Sequence, residues 1–195
     1  IVITILAIIV ILCAGGIGYF NYINNAPLPK IDGTVKVNGL YDKVEVIRDA
    51  NGIPHIYANN MHDLSFAQGY VQAQDRWWQM DFFRKTCGGR IEELTGKKAS
   101  LISSDIYLRT MGWNNVAEKE YASYSPAQRA PLDAFAAGVN AYISSRSPQE
   151  LSVNYSILGL TGVKFKIDPW TPVDTLSFAK LMAWDLGYSG DEEIP

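Results

Sequence analysis

Hydrophobic and polar positions divide the chain into an apolar N-terminal stretch and an amphipathic remainder. Ile1 to Phe20 contains no charged residue, and the first charged side chain is Lys30. About 20 helical residues extend roughly 30 Å, the thickness of the hydrocarbon core of a bilayer. The apolar region of a removable signal peptide is shorter, about 7–15 residues, and no small-x-small cleavage site follows. We therefore predict an uncleaved transmembrane anchor over residues 1–22; a removed signal segment and a buried core helix are the alternatives.

The apolar periodicity further along predicts one long helix from Met61 to about Lys85. Five apolar side chains recur three or four residues apart, so they share the face that packs on a core. These side chains are Phe66, Tyr70, Ala73, Trp77 and Met80. Asn60 is placed to cap the start, with the Asp63 carboxylate near the free amides of the first turn. Gly88-Gly89 end the helix.

A β-hairpin is predicted immediately before this helix. Apolar residues alternate in 44–48 and 53–56, and the Asp-Ala-Asn-Gly segment 49–52 between them is typical of a turn. The other predicted elements are a possible strand at 31–40, a helical turn at 91–94, helices at 101–113, 126–144 and 170–186, and a short strand at 163–167 within a turn-rich stretch, 149–169. Residues 23–39 form a proline-bearing linker with the possible first strand.

Composition narrows the class of protein. The 195 residues are 48% hydrophobic, which could fill one domain core, although the N-terminal stretch accounts for part of that fraction. The net charge of −3, with no Lys/Arg cluster, argues against nucleic acid as a partner. Cys13 falls in the predicted membrane span and Cys87 in the remainder, so no disulfide framework is predicted.

The two histidines offer no recognisable catalytic arrangement. A serine–histidine–aspartate triad needs a histidine base that a carboxylate orients, and neither His55 nor His62 has that context. We predict that His55 is a buried structural imidazole and that His62, in a first helical turn, faces water. No grouping of His, Cys and carboxylates has the spacing of a zinc site.

Charged and aromatic side chains of the long helix each allow two interpretations. Asp75-Arg76, and Asp81 with Arg84 or Lys85, are either a charged site or surface pairs; the spacing favours surface pairs. Two adjacent aromatic pairs, at 77–78 and 82–83, either line a pocket for an apolar acyl group or pack in the core. Core packing is favoured for Trp77 and Phe83. Because Trp78 and Phe82 then point in other directions, we predict that other elements cover the helix on more than one side.

An acidic loop near the end of the sequence is the one candidate metal site. Asp191, Glu192 and Glu193 supply the hard oxygen ligands that calcium prefers. Three consecutive carboxylates rarely all bind one ion, so a solvated acidic turn is the alternative.

Several motifs resemble the penicillin acylase family, in order and from about Leu40 to Glu193. They are Val46-Ile47-Arg48-Asp49, Gly52-Ile53-Pro54-His55-Ile56, Gly69-Tyr70-Val71-x-Ala73-Gln74-Asp75-Arg76, Gln79-Met80, Gly89-Arg90-Ile91-x-Glu93-x-x-Gly96, Ala137-Gly138-Val139-Asn140-Ala141 and Pro169-Trp170-Thr171-Pro172-x-Asp174. Members of that family are N-terminal-nucleophile hydrolases, made as one precursor that cuts itself into an α chain and a β chain. Residues 40–195 resemble the α-chain region, continuing beyond 195.

The resemblance implies an α+β protein of the four-layer αββα type, in which this chain is the mostly helical portion. The family's nucleophile is the first residue of the β chain, usually serine, and its own α-amino group is the base. An amine with an ordinary pKa near 8 can carry out the proton transfer of a histidine. The resemblance therefore implies hydrolysis of a linear amide through an acyl-enzyme, with no catalytic residue in this chain.

The resemblance also implies a cofactor, partners and a location. A structural calcium ion joins the two chains in the family, and a gap-free count places its α-chain ligand at Glu193, with Glu192 as the neighbouring possibility. Family positions that contact the acyl group fall near Ala183, Leu186 and Gly187, whose side chains differ from the family's larger ones; these roles are not transferred.

The implied partners are the β chain of the same precursor, a small amide substrate with an apolar acyl group, and the membrane. Side chains of β-lactams and acyl-homoserine lactones are both possible substrates. The domain would face the periplasm or the cell exterior, tethered by the N-terminal helix. The alternative is a membrane-tethered, non-catalytic binding domain that retains the scaffold.

Overall fold

The computed structural model describes residues 2–187, in which helices predominate and two strands form a hairpin. In chain order the elements are α1 (Val2–Asn25), β1 (Glu45–Arg48), β2 (Pro54–Tyr57), α2 (Met61–Cys87), α3 (Glu92–Thr95), α4 (Ala99–Met111), α5 (Trp113–Ser123), α6 (Pro126–Ile143), α7 (Pro148–Leu151), α8 (Val153–Gly159) and α9 (Pro172–Gly187). The strands pair antiparallel, with Val46 opposite Ile56. The predicted hairpin and the mostly helical character are confirmed over this part of the chain.

Helix α1 is an apolar rod that is almost entirely exposed. It has 24 residues with a mean hydropathy of 2.5 in its most apolar window, none of which is buried. Its one buried residue is Ile23, near its C-terminal end. Within residues 2–187, α1 is therefore not a buried core helix. By length and composition α1 fits a membrane span and equally the apolar part of a signal sequence.

Helix α2 begins and ends at the residues that the capping signals predict. The side chain of Asn60 accepts a hydrogen bond from the Asp63 backbone N–H over 2.8 Å. At the other end the Gly88 N–H donates to the Arg84 carbonyl, and Gly89 adopts the left-handed conformation with φ +58°. A side chain would be disfavoured at that φ, so glycine makes the sharp turn possible.

Helices α2 and α6 touch through a pair of glycines. A Cβ atom built on Gly138 would lie 1.8 Å from the Phe66 carbonyl oxygen, and one built on Gly69 would lie 2.1 Å from the Phe135 carbonyl oxygen. Neither distance is possible for real atoms, so only glycine permits this backbone approach. Small residues at helix crossings allow such close packing. Two of the glycines in the family-like motifs thus have a structural role.

The core lies on more than one side of α2. One hydrophobic cluster joins α2 to α3, α6, α7, α8 and the segment before α9; its buried members include Ala73, Trp77, Met80, Val139, Tyr142 and Tyr155. A second, smaller cluster contains Cys87, Leu108, Trp113 and Leu181. Phe82 packs against the first cluster and Phe83 against the second, so this pair divides between them, whereas Trp77 lies in the first cluster and Trp78 packs against it. The prediction that α2 is covered on more than one side is confirmed.

Both predicted short strands outside the hairpin are wrong. Residues 31–40 and 163–167 form no strand. Alternation of side chains is not sufficient for a strand, which also needs a hydrogen-bonded neighbour. The first segment lies against α2 instead: Gln74 Nε2 donates to the Lys30 carbonyl over 2.9 Å, and Gly39 sits against the Phe66 ring.

Three helices are additional to the prediction. The helix predicted over 101–113 is α4, which ends at Gly112 with φ +69°, and a separate helix α5 follows. Helices α7 and α8 occupy part of the predicted turn-rich stretch. A capping box begins just before that stretch: Ser147 and Glu150 have the S-x-x-E spacing, and the Ser147 N–H donates to Glu150 Oε2 over 2.8 Å.

Cys13 and Cys87 do not form a disulfide bond. Cys13 is exposed on α1, Cys87 is buried at the end of α2, and both are free. Burial raises the pKa of the Cys87 thiol to about 12, and the nearby Asp174 charge adds to the shift. A buried thiol with a raised pKa stays protonated, so it contributes to packing and does not act as a nucleophile.

Candidate functional site

Three charged side chains in the second half of α2 are buried, which corrects the predicted surface pairing. Asp81, Arg84 and Lys85 are 0%, 5% and 2% exposed. Arg84 Nε donates to Asp81 Oδ1 over 2.8 Å, and the Tyr155 hydroxyl donates to Asp81 Oδ2 over 2.6 Å. Burial raises the pKa of Tyr155, and the Asp81 charge raises it further, so the hydroxyl stays protonated. The reason for the error is that Tyr155, from α8, covers a pair that looks exposed on an isolated helix.

Arg84 connects α2 to the turn before α9. Its Nη1 donates to the Pro169 carbonyl over 3.1 Å, and its guanidinium carbon lies 5.1 Å and 5.7 Å from the ring centroids of Trp77 and Trp170. These are cation–π distances. Asn140 of α6 holds the same turn, because its side chain both accepts from the Trp170 N–H and donates to the Trp170 carbonyl. The network therefore fixes where α9 begins.

A second ionic network lies at the end of α2. Lys85 Nζ is 2.8 Å from Glu93 Oε2, while Arg90 binds Glu93 through two hydrogen bonds of 2.7 and 2.8 Å and also binds Asp168. Hydrogen bonds from Arg90 hold the pKa of both Glu93 and Asp168 at about 2; Lys85 contributes at Glu93 and Lys166 at Asp168. The Arg and Glu of the 89–96 motif thus tie α3 to the segment before α9.

The hairpin is attached to α2 through Arg48. Its two terminal nitrogens bind the two carboxylate oxygens of Asp75 over 2.8 and 2.9 Å, and one also binds Gln74 Oε1. Asp75 therefore pairs with Arg48 and not with its neighbour. Arg76 is exposed and has the one non-helical backbone conformation within α2 (φ −137°, ψ 21°), where the helix kinks.

Asp63 does more than cap the first turn of α2. Its carboxylate is fully buried and accepts hydrogen bonds from the backbone N–H groups of Tyr41 and Asp42 over 2.9 and 2.8 Å. Burial alone would raise the pKa of Asp63, but these N–H donors, Asn60 and His62 lower it well below the ordinary value. This contact, across 21 and 22 positions of chain, fixes the segment that enters the hairpin.

Neither histidine has its predicted environment. His55 is exposed, with 51% of its side chain accessible, and its Nε2 lies 3.6 Å from the Asp49 carboxylate. His55 lies on β2, and no other described element covers its side of the hairpin. His62 is half-buried: its ring stacks on Tyr41 with 4.0 Å between centroids, and Nδ1 lies 3.1 Å from Asp63. The predicted burial of His55 and exposure of His62 are both wrong.

A groove of about 500 Å³ runs along the exposed side of α2 between α6 and α9. We refer to it as the α2–α6–α9 groove. Its floor carries Ser65, Gln68, Gln72, Arg76, Gln79, Met80 and Phe83, and its walls carry Pro131, Leu132, Phe135, Trp170, Thr175 and Phe178. Its size is that of a small-molecule site, and its lining is mainly apolar with a row of amides.

Several residues singled out in the sequence do not come together as a site within the described residues. Asp191, Glu192 and Glu193 lie outside the described residues. Within 2–187 no three His, Cys, Asp or Glu side chains converge as a metal site would require. Leu186 and Gly187 are exposed at the end of α9, and Ala183 is exposed one turn earlier. Arg76 and His55 likewise reach solvent.

The motifs that gather around α2 match a known family over most of the chain. The penicillin amidase family model matches residues 43–195. The chain belongs to the penicillin amidase family. It is 33% identical over 162 residues to the penicillin acylase 2 proenzyme of Pseudomonas sp. (strain SE83), covering 83% of this chain and 20% of the relative. It is 32% identical over 167 residues to the acyl-homoserine lactone acylase QuiP of Pseudomonas aeruginosa, covering 86% and 19%.

A solved structure confirms the fold relationship. The thermostable penicillin G acylase from Alcaligenes faecalis superposes with a TM-score of 0.63 and 28% sequence identity, over 74% of each chain. That chain is therefore about as long as this one, whereas the matched segment spans only about a fifth of the two curated relatives. The two curated relatives are named as acylases of different substrates, one of penicillin and one of acyl-homoserine lactones.

Within residues 2–187, the family motifs coincide with contacts that connect elements. Arg48 and Asp75 join the hairpin to α2, Gly69 and Gly138 join α2 to α6, and Arg90 with Glu93 joins α3 to the segment before α9. Sequence reasoning identified these positions but not their partners. It missed Tyr155, which lies in none of the motifs and was readable only as an apolar residue of a turn-rich stretch.

Proposed function

We propose that this chain is the α-chain region of an amidohydrolase that cleaves a linear amide through an acyl-enzyme. The observation that carries the proposal is the family match over 43–195, with the motif residues paired in the structure as a connected framework. Catalysis would then depend on a second polypeptide.

The chemistry proposed for the β chain uses its first residue. The hydroxyl of that residue, usually serine in the family, attacks the amide carbonyl while its own α-amino group takes the proton. The amine product leaves with that proton, and water then releases the carboxylic acid from the ester. This chain would contribute framework and binding surface, so none of its residues is assigned as nucleophile or base.

The finer predictions become parts of the same proposal. The two chains together would form the four-layer αββα architecture, with this chain supplying helices. A structural calcium ion would join the chains, and Glu193, which lies outside the described residues, would be its α-chain ligand. The apolar α1 would place the domain outside the cytoplasmic membrane, either tethered or after removal of the helix.

Expression of the full-length precursor tests the proposal. Mass spectrometry of the purified product should show two fragments, and the smaller should contain residues 43–187. The product should hydrolyse penicillin G or an acyl-homoserine lactone, with release of a free amine. Replacement of the new N-terminal residue of the larger fragment by alanine should abolish both self-cutting and hydrolysis.

The alternative, a non-catalytic binding domain, predicts the opposite pattern. A single uncut polypeptide that binds an amide and releases no amine would overturn the proposed activity. Removal of metal by EDTA separately tests the calcium site: the thermal midpoint of the two-chain protein should fall and recover when Ca²⁺ is returned. No change in midpoint would overturn the calcium proposal and leave the hydrolase proposal standing.

A further inference from the structure

The α2–α6–α9 groove has the composition of a protein interface. Its lining contains no Lys, Asp or Glu, although 19% of the chain is charged. Four aromatic residues, a methionine and an arginine are present instead. Interface cores are depleted in lysine and acidic residues and enriched in aromatic residues, methionine and arginine. An ordinary solvent-facing helix, such as the exposed side of α5 with Glu118 and Lys119, does not show this pattern.

The polar side chains on the floor of the groove make no hydrogen bonds to other described residues. Gln68, Gln72, Gln79 and Arg76 form one row at three- and four-residue spacing, and their side chains are exposed. None of them has a hydrogen-bond partner among residues 2–187. By contrast, Gln74 on a neighbouring side of α2 binds both Arg48 and the Lys30 carbonyl. A row of free amides supplies alternating donors and acceptors for another backbone.

We propose that the β chain of the same precursor occupies this groove; the inference rests on the proposed function. The chain spans about a fifth of its curated relatives, so most of such a protein lies outside it and must cover part of its surface. The segment that fits would be mainly apolar, with its main-chain groups bound to the glutamine amides. One acidic β-chain residue would pair with Arg76, because a cation enclosed without a partner is costly.

Cysteine labelling of the full-length, self-processed protein tests the assignment. In a Cys13→Ser background, Gln72→Cys places a thiol on the groove floor, and Lys119→Cys places one on the exposed side of α5 as the matched control. Maleimide modification is measured by mass spectrometry on the peptide that carries each site. We expect modification at position 72 to be slower by about tenfold or more than at 119 in the native protein, and equal after unfolding in urea.

The outcomes separate this inference from the proposed function. Equal native rates at 72 and 119 in a two-chain protein would overturn the interface and leave the hydrolase standing. Slow modification at 72 in a polypeptide that never cuts itself would show that the rest of the precursor covers the groove, while the two-chain hydrolase fails. Rapid modification at 72 that penicillin G or an acyl-homoserine lactone suppresses would make the groove a substrate site and overturn the interface.

A second variant checks the chemistry of the groove. Gln72→Glu introduces a negative charge into a lining whose one charged side chain is Arg76, and Lys119→Glu makes a charge change outside it. After processing, the two chains of Gln72→Glu should separate at a lower urea concentration in size-exclusion chromatography, with about tenfold weaker association. Identical separation of both variants and the parent protein would contradict the inference.

Discussion

The two halves of α2 bury their inner faces by different means. Before the kink at Arg76, the helix contacts α6 through backbone at Gly69 and Gly138, and its buried side chains are mainly apolar. After the kink, it buries Asp81, Arg84 and Lys85 beside Trp77. The first half depends on close packing, and the second on ionic groups that all find partners in other segments.

This difference shows that the residue pattern of a helix predicts its apolar face but not the burial of its charged residues. The first half presents the spacing of apolar and small residues that any buried helix needs. The second half would look like a surface helix if its partners were unknown, because Asp81 and Arg84 have the i,i+3 spacing of an exposed pair. Their partners Tyr155 and Pro169 lie 74 and 85 positions away in sequence.

The largest expected effect comes from breaking the buried pair in the second half. Asp81→Ala leaves the Arg84 guanidinium buried without its counterion, and we expect the free energy of unfolding to fall by about 3–5 kcal/mol. Urea unfolding of the purified full-length protein, followed by tryptophan fluorescence, measures the change. The double variant Asp81→Leu/Arg84→Met should be less destabilised than Asp81→Ala, since it removes both charges together. If the single variant loses less than about 1 kcal/mol, the pair is not effectively buried.

The first half should be most sensitive to added volume. Gly138→Ala places a methyl group where the Phe66 carbonyl stands, so α2 and α6 must separate. We expect a loss of about 2–3 kcal/mol in the same unfolding assay. Gly159→Ala is the matched control, because its nearest neighbour would be a Phe165 ring atom at an ordinary 3.8 Å. Equal effects of the two substitutions would show that the helices tolerate the extra group.

Removal of one hydroxyl should have a smaller effect that still distinguishes buried from exposed hydrogen bonds. Tyr155→Phe removes the 2.6 Å bond to Asp81, and we expect a loss of about 1.5–2 kcal/mol, as for bonds to charged groups. Tyr124→Phe removes a bond of the same length to Glu120 in a more exposed position. Its effect should be within about 0.5 kcal/mol. A similar loss for both would mean that burial adds nothing to the Asp81 network.

The smallest effect concerns the half-exposed network at the end of α2. The pKa values of Glu93 and Asp168 lie at about 2 in the folded protein, below the ordinary carboxyl values of about 4. Their ion pairs therefore stabilise the fold above about pH 5, and the contribution is lost as the pH falls toward 2. Arg90→Gln should lower stability at pH 7 by less than about 1 kcal/mol, because the groups are partly solvated.

Thermal midpoints between pH 7 and pH 2.5 measure that contribution. The midpoint of Arg90→Gln should fall less steeply than that of the parent protein, since its carboxylates have less depressed pKa values. Arg109→Gln is the control, because this arginine binds only the Gly89 carbonyl among the described residues and lies outside the network. Parallel pH profiles for the parent and Arg90→Gln would contradict the assigned cause of the pKa shifts.

The elements whose signals are local were predictable. Capping by Asn60 and by Ser125 with Gln128, the turn at Asp49 to Gly52 and the periodicity of α2 all depend on residues within a few positions. The strand predicted at 31–40 failed because a strand is defined by a neighbour, which no local pattern supplies. Helix α7 is not among the predicted elements although its capping box is present, because its four residues are too few to show a helical period.

For the candidate site as well, the sequence indicated some residues but not their partners or their exposure. The motifs that indicated the family contain Arg48, Asp75, Arg90 and Glu93, but only the structure showed which of them pair. Exposure was the least predictable property: His55 reaches solvent and Lys85 does not, because neighbouring elements determine whether water reaches a side chain. The groove on α2 also needed the structure, since its walls come from α6 and α9.

By itself, the sequence determined the helical periods, the caps, the apolar N-terminal helix and the family, because each is recorded in short-range spacing or in motif order. The tertiary structure alone decided that Asp81 and Arg84 are buried by Tyr155, that Asp63 holds the Tyr41 backbone, and that the free glutamines of α2 lie between aromatic walls. Burial and hydrogen-bond pairing depend on groups distant in the chain, and their free energies exist only once those groups meet.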